Sequence, residues 1–180
     1  CRRIQDGSCF VVADDLVVTN AHVVAGEDDS VVEMADGRQV DATVVAFDAL
    51  RDLAILRTEA TGPPLPIESG EIGDVGGVFG HPGGGPLEIS PFQIGDEITA
   101  RGRDIYDSAA TERQVLVLAA NLAPGDSGSA LVDPNGTVIG VAFAIAPDKA
   151  GVAYALSIDE LEAVLAGDLS VERDTGGCLV

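Results

Sequence analysis

Pro124-Gly125-Asp126-Ser127-Gly128-Ser129-Ala130-Leu131 is a glycine-flanked serine turn that runs straight into an apolar strand. A serine hydroxyl is a poor nucleophile until a base takes its proton. It also needs backbone N–H groups aimed at the oxyanion that its attack creates. Gly125 can adopt the tight conformation that turns its own N–H toward the same point as that of Ser127, and Gly128 lets the chain leave the turn without a side-chain clash. An ordinary Gly-Asp-Ser-Gly surface loop is the plain alternative, so the turn needs partners. His22 stands in Thr19-Asn20-Ala21-His22-Val23-Val24, just past an apolar run, and is one of only 2 histidines. Asp52 heads Leu53-Ala54-Ile55-Leu56, where a carboxylate is expected to be partly buried and paired, able to orient an imidazole. Taken singly, His22 could be a satisfied core histidine and Asp52 a strand-start cap. In the order His, Asp, Ser, with the first two in one half of the chain and the serine in the other, they predict a cleft between two lobes with chemistry at the seam.

Working outward, the dominant pattern is short apolar runs broken by turn signals. Phe10–Ala13 and Leu16–Thr19 flank Asp14-Asp15, and Val31–Met34 and Val40–Phe47 flank Asp36-Gly37, a strong hairpin signal. Leu53–Arg57 follows, then Thr61-Gly62-Pro63-Pro64-Leu65-Pro66, which cannot continue a central strand. The second set is Val75–Phe79, Leu87–Ile94, Val115–Ala119, Ala130–Val132, Thr137–Ala144 and Val152–Leu156, with Asn135-Gly136 as a further turn. Ser157-Ile158-Asp159-Glu160 reads as a capping box that opens one late helix, continued by Leu161, Val164 and Leu165. No 10–15-residue helical pattern separates the strands, so a parallel α/β sheet is excluded. The predicted fold is all-β: two antiparallel six-stranded β-barrels with a short C-terminal helix. The first lobe is expected over residues 1–62, a linker over 63–68 and the second lobe over 69–180.

Together these motifs resemble the trypsin-like (chymotrypsin-fold) serine proteases. TNAHVV, DLAIL and GDSGSAL carry the resemblance. It implies His22 as general base, Asp52 as its orienter, Ser127 as nucleophile, and an oxyanion hole at the N–H groups of Gly125 and Ser127. It places the floor of the substrate pocket at Asn121, six residues before the nucleophile, and its wall near Ala142 and Phe143. A neutral amide at the floor offers no paired charge for a buried Lys or Arg, so small or medium uncharged residues are expected before the cut. The chain departs from the family pattern at Ser129-Ala130, where Gly-Pro is usual. His81-Pro82-Gly83-Gly84-Gly85, Arg103-Asp104-Ile105-Tyr106 and the terminal pair Cys1 and Thr175-Gly176-Gly177-Cys178 are similar to one subgroup, the extracytoplasmic protease domains of actinobacterial membrane-anchored proteases linked to acid resistance. That similarity implies a membrane-tethered parent, a periplasmic domain, roles in acid and oxidative stress, and a disulfide joining the two ends. HtrA-type proteases are the nearest alternative, although the chain leaves no room for a PDZ domain.

Composition bounds the rest. In 180 residues there are 10 Lys plus Arg against 30 Asp plus Glu, a net charge of −20 with histidines neutral. Such a surface repels nucleic acid and anionic lipid, and 4% aromatics leave little for base stacking. No run approaches the roughly 20 apolar residues that span a bilayer. The chain begins at Cys1 without a signal peptide and reads as a piece of something longer, so any membrane contact would come through N-terminal segments of the parent. Of the 3 cysteines, Cys1 and Cys178 at the two ends are expected to pair, two unrelated surface thiols being the alternative, and Cys9 reads as a small buried hydrophobe. Two histidines without matched ligand spacing make a metal site weak, Gly83-Gly84-Gly85 lacks a following Gly-Lys-Ser/Thr, and Glu27-Asp28-Asp29 lacks EF-hand spacing. No cofactor is expected. The partners expected are protein or peptide substrates of a monomeric domain. The competing readings are a peptide-binding module that has lost catalysis and an esterase, the latter disfavoured because the Gly-x-Ser-x-Gly elbow is absent.

Overall fold

The computed structural model describes residues 6–59 and 62–179. Eleven strands and two helices follow one another as β1 (Phe10–Ala13), β2 (Leu16–Thr19), α1 (Ala21–Val24), β3 (Ser30–Glu33), β4 (Gln39–Asp48), β5 (Leu53–Thr58), β6 (Val75–Gly80), β7 (Glu88–Arg103), β8 (Ala110–Ala120), β9 (Ala130–Val132), β10 (Val138–Ile145), β11 (Val152–Leu156) and α2 (Ile158–Leu165). A 3-10 turn, Pro82–Gly84, follows β6.

The strands form two sheets. The first has five strands in the order β1-β2-β5-β4-β3, while in the second the pairings β10-β11-β8-β7-β6-β9 close into a ring. The expectation of two six-stranded barrels is therefore corrected: the first half is a five-stranded open sheet. Its edges, β1 and β3, are four residues each and do not pair with one another. At β1 the linker does part of what a sixth strand would do, Leu65 N–H donating to Val11 O at 3.0 Å. Further along, Val138 N–H donates to Pro66 O at 2.8 Å, so the linker is bonded to both sheets.

Turn chemistry explains the hairpins. Gly37 and Gly136 sit at φ of 80° and 86°, which side chains resist. The Asp133 carboxylate accepts from Asn135 N–H at 2.9 Å and Thr137 N–H at 2.8 Å, closing the β9–β10 turn. β7 runs 16 residues, well past Ile94, with a register shift between Ile94 and Asp96. Beyond that bulge it leaves the barrel as a long hairpin with β8, whose tip reaches back over the first lobe. There Ile105 N–H donates to Ala49 O, while Thr111 Oγ1 and Arg113 Nε donate to Leu50 O at 2.8 Å and 2.6 Å.

One of three apolar clusters joins the two sheets and α2. Phe10, Leu16, Val18, Leu53 and Ile55 of the first sheet pack with Val138, Val141 and Leu156 of the second and with Ile158, Leu161 and Val164 of α2. Each large apolar side chain taken from water contributes about 1.5–3 kcal/mol, so the two lobes do not separate cheaply. The helix begins where the sequence predicts, but the capping box is not formed: Ser157 makes no side-chain cap, and its buried Oγ has no hydrogen-bond partner among the described residues. Glu160 turns away instead, accepting from Gln114 N–H at 2.8 Å and pairing with Arg51 Nε at 2.9 Å.

Candidate active site

α1 is a single turn that starts directly after the fully buried Asn20, and His22 is its second residue. Asn20 Nδ2 donates to Asp52 O at 2.9 Å, which ties the end of β2 to the turn before β5. Asp52 is 4% exposed and holds a φ of 60°, a left-handed backbone that costs a non-glycine residue energy. That conformation lets one carboxylate grip His22 twice. Oδ1 accepts from the His22 backbone N–H at 2.9 Å, and Oδ2 lies 2.7 Å from ring Nδ1. An ionised carboxylate only accepts, so Nδ1 carries the proton and Nε2 is left as a base. Nε2 has no hydrogen-bond partner among the described residues.

The serine turn lies across the seam, in the second lobe. Gly125 has a φ of 102° and Gly128 of 85°, so both positions require glycine. A Cβ on Gly125 would stand 2.5 Å from His81 O, and one on Gly128 would collide with Ser8 O. The backbone donors of the turn fall into two groups. Asp126, Gly128 and Ser129 donate to Ala123 O, Ala142 O and Asp126 O at 3.1, 2.9 and 3.0 Å. The N–H groups of Gly125 and Ser127 have no partner among the described residues. Two free backbone donors in a turn whose N–H groups at Asp126, Gly128 and Ser129 are paired form a receptor for developing negative charge. Ser127 Oγ likewise makes no hydrogen bond among the described residues, so the serine–imidazole bond is unmade in this structure.

Beside Ser127 opens a cavity of about 160 Å³, lined by Leu122, Ala123, Pro124, Asp126, Ala142, Phe143, Ala144 and Ile145. Ala142 and Phe143 are among the residues that line this cavity. Asn121 is exposed and does not line the cavity. Asp126 is the one acidic lining residue, and its Oδ2 is taken by Ala123 N–H at 2.9 Å. Arg113 lies over the Phe143 ring at 5.8 Å and steadies it from outside. Cys9 packs against the apolar cluster of the first sheet, and burial pushes its thiol up to about 11, so it is no thiolate nucleophile at neutral pH. The expected Cys1–Cys178 pairing falls on Cys1, which lies outside the described residues; the Cys178 end belongs to a tail held to the first lobe by Thr175, whose carbonyl accepts from Gly26 N–H at 3.1 Å and from Tyr106 OH at 2.9 Å.

Sequence reasoning missed Ser8. It is 2% exposed and contacts the serine turn at two carbonyls, with Ser127 O accepting from its N–H and Gly125 O from its hydroxyl, both at 2.8 Å. A lone serine ahead of a strand gives no periodic or motif signal, and its partners on the serine turn lie more than a hundred positions away.

Comparison with known proteins agrees with this geometry. The family described as trypsin-like peptidase domain matches residues 7–141. Serine protease Rv3671c of Mycobacterium tuberculosis is 38% identical over 99% of this chain and 46% of its own length. HhoA of Synechocystis, a putative serine protease by name, is 32% identical over 91% of this chain and 43% of its own. The chain therefore spans about half the length of the curated relatives it matches. Among solved structures, the active form of the M. tuberculosis Rv3671c protease superposes with a TM-score of 0.93 at 37% identity, covering 100% of this chain and 81% of that one. An inactive form of the same protease gives a TM-score of 0.80 over 92% of this chain and 84% of that one.

Proposed function

This chain belongs to the trypsin-like peptidase family, and from that premise we propose that it is a serine endopeptidase working through an acyl-enzyme on Ser127. Ser127 Oγ attacks the scissile carbonyl while His22 Nε2 takes its proton. Asp52 holds the imidazole in its tautomer and stabilises the imidazolium. The N–H groups of Gly125 and Ser127 receive the oxyanion. The intermediate collapses, His22 returns the proton to the leaving amine, and water repeats the sequence on the ester. The observation that carries this reading is the double grip of Asp52 on His22, together with a serine turn in which the backbone N–H groups of Gly125 and Ser127 have no partner among the described residues. Ser127→Ala should abolish covalent labelling by a serine-directed phosphonate with the fold intact. Persistent labelling of the folded variant would overturn the assignment, and absence of labelling in the unsubstituted protein would leave a binding module as the better reading.

The apolar cavity beside Ser127 supports cleavage after small or medium uncharged residues. Asn121, the floor that the family spacing implies, is exposed and lies outside that cavity. A peptide-library profile at two salt concentrations tests it: dominant Arg or Lys before the cut, persisting at high salt, overturns the pocket argument. The net charge of −20 acts at longer range and favours basic residues further from the bond at low salt only.

The site of action proposed is the cell envelope, as an extracytoplasmic domain of a membrane-anchored parent that meets acid and oxidative stress. The sequence resemblance supports this, as does the name of a matching relative from Halomonas elongata, a probable periplasmic serine endoprotease. Among the described residues no helix is long and apolar enough to cross a membrane. The division at residues 63–68 and a Cys1–Cys178 disulfide belong to the same proposal, and non-reducing peptide mapping checks the bridge.

A further inference from the structure

We infer that Ser8 is a positioning residue for hydrolysis, a clasp by which the segment ahead of β1 holds the oxyanion-binding turn in shape; the inference rests on the assignment of Ser127 above. Ser8 spends every polar group it has. Its N–H donates to Ser127 O at 2.8 Å, its hydroxyl donates to Gly125 O at 2.8 Å and accepts from His81 N–H at 2.9 Å, and its carbonyl accepts from Thr19 Oγ1 at 2.8 Å. One residue thereby joins the end of β2, three positions before His22, to the loop after β6 and to both sides of the nucleophile turn.

The fit of the segment is equally specific. A Cβ on Gly7 would lie 2.6 and 2.7 Å from the Val23 methyls and 3.2 Å from Ser127 O. Gly7 and Ser8 are thus wedged between the helical turn that carries His22 and the loop that carries Ser127. The spacing of base and nucleophile depends on this wedge as well as on the sheets.

Peptide geometry says what the clasp does. In a trans peptide the C=O and N–H point in opposite directions. Pro124 O accepts from Gly83 N–H at 2.7 Å, which sets the Gly125 N–H on the opposite side, away from that loop. The next peptide is held by Ser8 at Gly125 O and by Ala123 O at Asp126 N–H, at 2.8 and 3.1 Å. Gly125 itself has no side chain to anchor it and lies in backbone space open to glycine, so rotation of its peptide is opposed by these bonds alone. Ser8 is also the hydrogen-bond acceptor for His81, two residues before Gly83, so its hydroxyl steadies both peptide planes at once. A turn with Gly125 rotated keeps the substrate pocket but loses one oxyanion donor.

The prediction separates turnover from binding and from stability. Ser8→Ala, Ser8→Thr, Thr19→Val and Ser127→Ala are assayed in the 180-residue domain. Readouts are kcat, KM, inhibition by a peptide aldehyde that forms an oxyanion-bearing adduct, and the thermal midpoint. Ser8→Ala should lower kcat about tenfold to a hundredfold, the scale of a small misplacement of reacting groups, with KM within about twofold and aldehyde affinity falling in parallel with kcat. Ser8→Thr, which keeps the hydroxyl, should recover most of the rate. Thr19→Val, of the same shape, should slow turnover in the same direction by a smaller factor. A folded Ser8→Ala with wild-type kcat, a loss confined to KM, or a Ser8→Thr that melts like wild type yet turns over as slowly as Ser8→Ala would each overturn the clasp. If Ser8→Ala does not fold, Thr19→Val decides: unchanged kcat in that folded variant overturns it. Hydrolysis surviving in Ser127→Ala is a different failure, that of the nucleophile assignment.

Discussion

Asp52 carries two burdens at one position, a strained φ of 60° and a carboxylate that bonds both the backbone and the ring of His22. Asparagine tolerates the left-handed region better than most residues, so Asp52→Asn separates them. It keeps the turn but presents an amide to Nδ1, which favours the wrong tautomer. On the proposed mechanism kcat should fall by about 10⁴ with little change in thermal midpoint, the loss known for this exchange in such triads; a loss below tenfold would show that Asp52 does not orient the base. The three candidate residues were legible because each sits in a short motif with its own chemical logic. The strain at Asp52 was not, because nothing in Arg51-Asp52-Leu53 demands a positive φ. Ser8 was invisible for a related reason: its role exists only in bonds to residues 19, 81, 125 and 127.

At the scale of elements, α2 is held to the rest of the molecule by a carboxylate that the sequence reads as its own cap. Glu160 is 9% exposed and bonds Gln114 N–H in β8, while its other oxygen meets Arg51, the residue before Asp52. Arg51 also donates from Nη1 to Asp48 Oδ2 at 3.0 Å, so the turn carrying the candidate acid is braced from both sides. Glu160→Ala should destabilise the fold by about 2 kcal/mol, the cost of leaving a buried N–H unpaired, read as a shift of the urea midpoint at constant slope. Glu160→Gln, which can still accept from Gln114, should lose less. The start of this helix was legible from its capping pattern, and β9 and β11 from their apolar runs. The outer half of β7 was not, since residues 95–103 are polar or exposed on both faces and lack the alternation that marks a half-buried strand. The missing sixth strand of the first lobe is the same lesson reversed: five apolar runs were present there, and the barrel was extrapolated from the count.

For the whole molecule, charge sets the response to pH. The carboxylates of Asp36, Asp104 and Asp168 are held below the usual range chiefly by side-chain bonds from Arg38, Ser108 and Ser170, and that of Asp133 chiefly by the Thr137 backbone N–H. A lowered pKa contributes stability above the ordinary aspartate value, and that stability is lost as pH falls through the folded one. Repulsion from a net −20 works the other way, easing as the least perturbed carboxylates begin to take up protons. The thermal midpoint should therefore hold or rise from pH 7 to about 5 and fall below about pH 4 as these turns lose their acceptors; a steady decline from pH 7 would mean that repulsion is not the larger effect. The closed ring of the second lobe has a bearing on time as well as on shape. Its last join is β6 against β9, where Phe79 meets Ala130 across a long stretch of chain, and long-range pairings of this kind form slowly. The loop that holds Pro124 leaves β6 at the same end of that seam where the serine turn enters β9. A nascent chain therefore has every reacting group but no assembled receptor for the oxyanion, and cannot digest itself or its neighbours while it folds. On dilution from denaturant, hydrolysis should return with the slowest phase, after the far-ultraviolet signal has recovered.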